Sequence, residues 1–142
     1  PLFVAFKIVT LFGIILLPLA WGAMAHLMGL SLAGVFTASC LSLSFLFTDA
    51  HVMWGGNIYS ALAGMIGNAW ALVFFALALG HLVSRYRDHS LSGWAILYVT
   101  LATMSHFYAA LMIATLGLTF ALMDISLLLR GRLTLALVSI PA

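Results

Sequence analysis

Long stretches of this chain are nearly devoid of charge, and that restricts its fold more than any other feature. From Leu2 to Ser84 the only Lys, Arg, Asp or Glu residues are Lys7 and Asp49. Over all 142 residues 6% are charged and 65% hydrophobic, with a mean hydropathy of +1.25. A soluble domain carries roughly 25% charged residues, so this chain cannot solvate the surface of a globule. A water-soluble enzyme, a nucleic-acid binder and a disordered chain are excluded on that ground. The net charge of +2 describes membrane orientation rather than a polyanion-binding surface. Cys40 is the single cysteine, which excludes a disulfide framework and a Cys-rich metal site. The expected fold class is all-α, a polytopic transmembrane helical bundle in which residues 1–142 form one transmembrane domain.

The apolar runs give the spans. The first is Leu2 to about Met24, with Pro18 in its later half; a membrane helix tolerates proline where neighbours resatisfy the freed carbonyl. A short break at His26 to Gly29 precedes a second span, Leu30 to Phe47, just long enough to cross. Polar and turn-forming residues then gather at Thr48 to Asn57, where Gly55-Gly56-Asn57 signals a loop. The third span, Ile58 to about Ser84, places Ser60 and Gly64, and Ala63, Gly67 and Ala71, at intervals of four. That small-residue spacing lets another helix approach closely. Arg85 to His89 forms a basic loop. Trp94 to Leu129 is too long for one crossing and is expected to break at Ser105-His106, returning as a hairpin to Arg130-Gly131-Arg132. Leu133 to Ile140 covers roughly 12 Å of a 30 Å hydrocarbon core. The expectation is about five complete spans plus a truncated sixth, in a chain that reads as a piece of a longer protein.

The basic residues orient these spans. The loops 85–93 and 130–132 hold four of the five Lys and Arg residues and are expected in the cytoplasm. Counting outward, Lys7, Asp49, His51, Asn57 and His106 fall together on the outer side. Burying Lys or Asp at the centre of a membrane helix costs roughly 2.5–3.5 kcal/mol, so such groups usually face water or a partner. One reading is a site entered from outside, with Lys7 as anion contact and His51 or His106 as polar or proton-handling groups. The plainer readings stand beside it: Lys7 snorkelling to headgroups, Asp49 capping a turn, Ser105-His106 bonded to each other. Haem ligation is disfavoured because His81 and His106 fall at opposite ends. No nucleophile elbow, phosphate-binding glycine loop or HExxH motif is present. The three aspartates are divided between the two faces, so no catalytic base is assigned.

The segment Met53-Trp54-Gly55-Gly56-Asn57-Ile58-Tyr59-Ser60-Ala61-Leu62-Ala63-Gly64, with Ser105-His106-Phe107-Tyr108 later, resembles the pattern of the 6-pyruvoyl-tetrahydropterin synthase-related membrane proteins. Those proteins are similar to GT-C-type glycosyltransferases. The order of elements agrees over roughly residues 45–125. Met65 stands where the pattern has an acidic residue, which removes a candidate carboxylate, and Phe107 where it has proline. The resemblance implies a prokaryotic cytoplasmic-membrane enzyme that takes a polyprenyl-phosphate-linked sugar at the extracytoplasmic face. Its catalytic acidic motif would lie in an outer loop that these residues do not contain. The implied substrate-binding residues are Lys7, Asp49, His51, Trp54, Gly55, Gly56, Asn57, Ser105 and His106, with a divalent metal ion as one option for a cofactor. Apart from the resemblance, the small-residue spacing of the third span makes Ser60, Gly64 and Gly67 the expected helix-packing residues. The expected partners are membrane lipid, the lipid-linked sugar and neighbouring membrane helices. A second reading is a non-catalytic subunit or scaffold packing through Ser60, Gly64 and Gly67. A third is a transporter-like bundle with an outer vestibule.

Overall fold

A computed structural model describes residues 1–47, 58, 61, 66–86 and 92–138, giving for Phe3, Asp124 and residues 126–138 the backbone alone. Among the described residues helices are the only regular elements: α1 (Leu2–Leu27), α2 (Leu32–Leu46), α3 (Ile66–Tyr86), α4 (Gly93–Ser105) and α5 (Phe107–Val138). The chain divides into two compact units, Pro1–Ala110 and Leu111–Ala142. The first holds α1 to α4 and the opening turn of α5. The second, among its described residues, continues α5.

Local chemistry explains where α1 stops and α2 starts. Gly29 adopts φ +80°, a conformation that costs glycine nothing. Its N–H donates to the His26 carbonyl at 2.9 Å, and the Leu30 N–H donates to the Ala25 carbonyl at 3.0 Å. These two bonds satisfy carbonyls that the helix end would otherwise strand. Two residues later the Ser31 hydroxyl accepts from the Gly34 N–H at 3.4 Å and opens α2. The capped turn uses residues that the sequence assigned to the second span, so α2 has 15 residues and is about 22 Å long. Pro18 lies within α1 without ending it.

The second break falls at His106. The Ser105 hydroxyl donates to the Leu101 carbonyl at 2.7 Å, His106 is extended at φ −160° and ψ 139°, and α5 starts at Phe107. The expected break between residues 105 and 107 is therefore present. The expected break at Arg130-Gly131-Arg132 is absent: α5 runs through it to Val138, 32 residues in all. Arginine and leucine are good helix formers, and one interior glycine costs only about 1 kcal/mol. That is too little to stop a helix in a run like Leu127 to Leu137. Residues 130–132 are thus helical rather than a loop, and Leu133 to Val138 is not a separate sixth element.

Among the described residues two helices are long and apolar enough to cross a membrane: α1 over Val4–Leu27, and α3 over Ile66–Tyr86. The apolar helices α2 and α4, and the stretch of α5 over Phe107–Met123, are shorter. Large apolar side chains stand exposed along α1, α2, α4 and α5, among them Leu2, Leu19, Leu32, Phe36 and Phe107. In water such surfaces would drive association; hydrocarbon solvates them. Hydroxyls inside the helices bond back to their own turns, as Thr10, Thr37, Thr100 and Thr115 do to the carbonyls four residues earlier.

The interior of the first unit is built on small residues. Leu17, Ala20, Leu46, Val73 and Ala76 form the buried cluster, with Trp21, Met24 and Phe74 packed against it. On α3, Ala69, Ala71, Ala76, Ala78 and Gly80 are all buried, which lets α1 and α4 close on it from two sides.

Candidate functional site at one end of the bundle

Where the glycines meet their neighbours fixes how the helices run. Gly13 of α1 faces Ala69 and Trp70 of α3, and Gly80 of α3 faces Met24 and Leu27 of α1. α1 and α3 are therefore parallel. Gly67 of α3 lies against the Ser105 carbonyl of α4, whereas His81 of α3 stacks on Tyr98, 5.7 Å between ring centroids. α3 and α4 are antiparallel. Only residues 28–31 join α1 to α2; Gly22 of α1 faces Ser39 and Val35 of α2, and Leu46 shares the buried cluster with Leu17, so that pair is antiparallel as well.

One end of this unit thus gathers the beginning of α1, the beginning of α3 and the α4–α5 junction. The other end holds the α1–α2 turn, Arg85 and Gly93. His81 and His106 are separated along α3 by about 21 Å, taking Gly67 as the level of Ser105, so the two histidines do not share a depth. The last residue of α2, Leu46, packs mid-bundle in the cluster with Leu17 and Val73, and the described part of α3 begins at Ile66, toward the first end. Asp49, His51, Trp54, Gly55, Gly56, Asn57, Ser60 and Gly64 lie outside the described residues, as do Asp88 and the Asp124 side chain.

Close approach at the first end depends on missing side chains. A Cβ on Gly67 would stand 2.6 Å from the Ser105 carbonyl oxygen, so this glycine packs against α4 of its own chain. A Cβ on Gly13 would stand 3.2 Å from the Trp70 ring. That space lets the Trp70 indole N–H donate to the Val9 carbonyl at 3.0 Å and tie α3 to α1. Trp70 also packs on Phe74 at 5.6 Å.

Among the expected site residues, Lys7 is exposed on α1, about 9 Å along the helix from Gly13 toward its start. The Ser105 hydroxyl proton is committed to its own helix. His106 has a defined role: its Nδ1 accepts from the Tyr108 N–H at 3.2 Å, and its ring stacks on Tyr108 at 5.3 Å. This is an N-cap interaction for α5. With Nδ1 accepting, the neutral ring carries its proton on Nε2 and presents that N–H as a donor. Among the described residues no group of three His, Cys, Asp or Glu side chains converges as a metal site would require.

Asn68 was not among the residues singled out from the sequence. It is 5% exposed, and its Nδ2 finds no hydrogen-bond partner among the described residues. An unpaired buried amide costs about 1–3 kcal/mol. The available signal was its amide alone in the apolar run Ile66 to Leu79; its burial depends on packing that no local pattern encodes.

Comparison with known families places the chain. Residues 1–142 match a family described as "6-pyruvoyl-tetrahydropterin synthase related domain; membrane protein". The chain belongs to that family. The family description, together with the two helices of spanning length, makes this a membrane protein in contact with lipid. No curated protein and no solved structure matches the chain.

Proposed function

We propose that this protein is part of a membrane-embedded glycosyltransferase of the GT-C type, acting on a polyprenyl-phosphate-linked sugar at the extracytoplasmic face. The observation that carries the reading is the collection, toward one end of the helices, of Lys7, Asn68, the His106 cap and the described start of α3 at Ile66, which follows in sequence the segment bearing Trp54-Gly55-Gly56-Asn57. In this reading α1 to α4 and α5 make about five crossings of a prokaryotic cytoplasmic membrane, with Arg85 and Arg87 inside. The shorter α2 and α4 cross where longer neighbours shield their ends.

The chemistry follows from the groups present. In transfer the hydroxyl oxygen of an acceptor bonds to the sugar anomeric carbon and gives up its proton to a base or water, as the bond from that carbon to the phosphate oxygen breaks and negative charge grows on the departing lipid phosphate. Lys7 and the Nε2–H of His106 oppose that charge. Asp49, His51 and Asn57 hold the sugar or a divalent ion, and Gly55-Gly56 admit the donor close to the backbone.

The cap role of His106 makes a clean test. Asparagine is a good N-cap and keeps the acceptor for the Tyr108 N–H, but it removes the ring donor. His106→Asn is expected to accumulate in membranes and melt like the wild type. Its sugar transfer from polyprenyl-phosphate hexoses should fall at least tenfold, and Asn57→Ala should fall likewise. Full transfer by both variants would remove these residues from the site. A wild-type protein that transfers nothing from any such donor would refute the reading.

A further inference from the structure

We propose that His106 is a proton-operated switch between the two helices it joins: neutral, it caps α5, and protonated, it releases α5 and turns to the end of α4. The inference rests on the geometry of the α4–α5 junction and is independent of the transfer reading. His106 belongs to both helices through its backbone. Its N–H donates to the Ala102 carbonyl of α4 at 3.1 Å, and its own carbonyl accepts from the Ala109 N–H of α5 at 3.1 Å. The residue is extended between these two bonds, which leaves its side chain to favour one helix or the other.

In this structure the ring sides with α5. Nδ1 accepts from the Tyr108 N–H at 3.2 Å, and the ring stacks on Tyr108. Only an Nδ1 without a proton can accept that bond; an imidazolium donates at both nitrogens and accepts at neither. A proton therefore competes with the Tyr108 N–H for a single lone pair. The charge that arrives with the proton is also badly placed for α5, because the free N–H groups of a first turn carry partial positive charge. The opposite pole lies across the same residue. The last carbonyls of α4 are groups that a cationic histidine can hydrogen-bond and that its charge stabilises. Protonation thus takes a cap from α5 and gives one to α4.

Neighbouring charge sets the pH of such a transition, but it cannot let Nδ1 hold the proton and the Tyr108 bond together. On α5 the titratable group beside the ring is Tyr108, stacked upon it. Residues 99–105 of α4 and 66–70 of α3 carry no titratable side chain, and Lys7 is the cation of α1 toward this end. Asp49 and His51 lie outside the described residues. In the orientation proposed above the junction faces the outer compartment, so the switch answers to external acid.

Amide exchange in the detergent-solubilised full chain reads the switch. Imidazole titrates between about pH 5 and 8, so the wild type is compared at those two values, with each rate corrected for the intrinsic chemistry of exchange. Protection of the Tyr108 amide is expected to fall in acid by at least about fivefold, the factor to which a lost N-cap corresponds, while that of Val73 inside α3 stays unchanged. His106→Asn supplies a cap that does not titrate and should keep the same protection at both values. His106→Ser serves the same purpose if the asparagine variant does not fold. The ring nitrogen resonances that disappear in either variant should show Nδ1 unprotonated in base and both nitrogens protonated in acid. Nuclear Overhauser contacts of the protonated ring should pass from Tyr108 to the last turn of α4. Full Tyr108 protection in acid, or an equal fall in the variants, overturns the proposal. A ring that stays neutral in acid, one that carries its proton on Nδ1 in base, or a protonated ring still seated on Tyr108 overturns it as well.

Discussion

Gly67 and Gly117 are both helical glycines, and the structure assigns them opposite sensitivities. A methyl group at Gly67 would meet the Ser105 carbonyl oxygen at 2.6 Å, whereas at Gly117 it would meet nothing within 4 Å. Gly67→Ala must push the end of α4 away, at a cost of about 1–3 kcal/mol. Gly117→Ala should instead gain about 0.5–1 kcal/mol from reduced chain entropy. Unfolding in detergent should show the two variants moving in opposite directions from the wild type. The interval of four between Ala63, Gly67 and Ala71 already marked Gly67 as a packing residue. The partner it packs against was not legible, because the same pattern suits any approaching helix. Asn68 shows the harder limit: a polar residue in an apolar run is visible, but whether its amide is buried and unpaired is decided by elements distant in sequence. His106 lies between these cases. Its place in a helix break could be read, while its use of Nδ1 as a cap, which fixes the ring donor, required geometry.

At the scale of the element, breaks were legible where their chemistry is local. Gly29 and Ser31 supply a helix stop and a helix start within three residues, and the α1–α2 turn follows from them. The break at Ser105-His106 was demanded by length, since Trp94 to Leu129 exceeds one crossing. The helical run through Arg130-Gly131-Arg132 was misread because two arginines suggested a loop; charge alone does not end a helix whose residues favour it. α3 is the element on which the first unit depends, since it carries the contacts with both α1 and α4. Its two tight points, Gly67 against α4 and Gly80 against α1, lie 13 residues apart, about 20 Å along the helix. They share no neighbours. Gly80→Ala would bring a methyl to 3.0 Å from the Met24 Cα, a milder overlap than at Gly67, and should cost less. The stability losses of Gly67→Ala and Gly80→Ala should add in the double variant within about 0.5 kcal/mol. A larger departure measured by unfolding would mean that α3 shifts as a rigid body between α1 and α4.

For the molecule as a whole, the central claim is that the two ends of the α1–α4 unit face opposite sides of a membrane. The arginine-rich loop suggested that polarity, and the parallel course of α1 and α3 with the antiparallel course of α4 gives it a geometric counterpart. Position-specific labelling tests it most directly. In a Cys40→Ser background, single cysteines are placed at Gly93 and Phe107, which flank α4 and are both exposed; a Cβ at Gly93 meets nothing within 4 Å. With a membrane-impermeant maleimide, Phe107→Cys should react in intact cells and Gly93→Cys only after permeabilisation. Reaction of both positions from the same compartment would contradict the account.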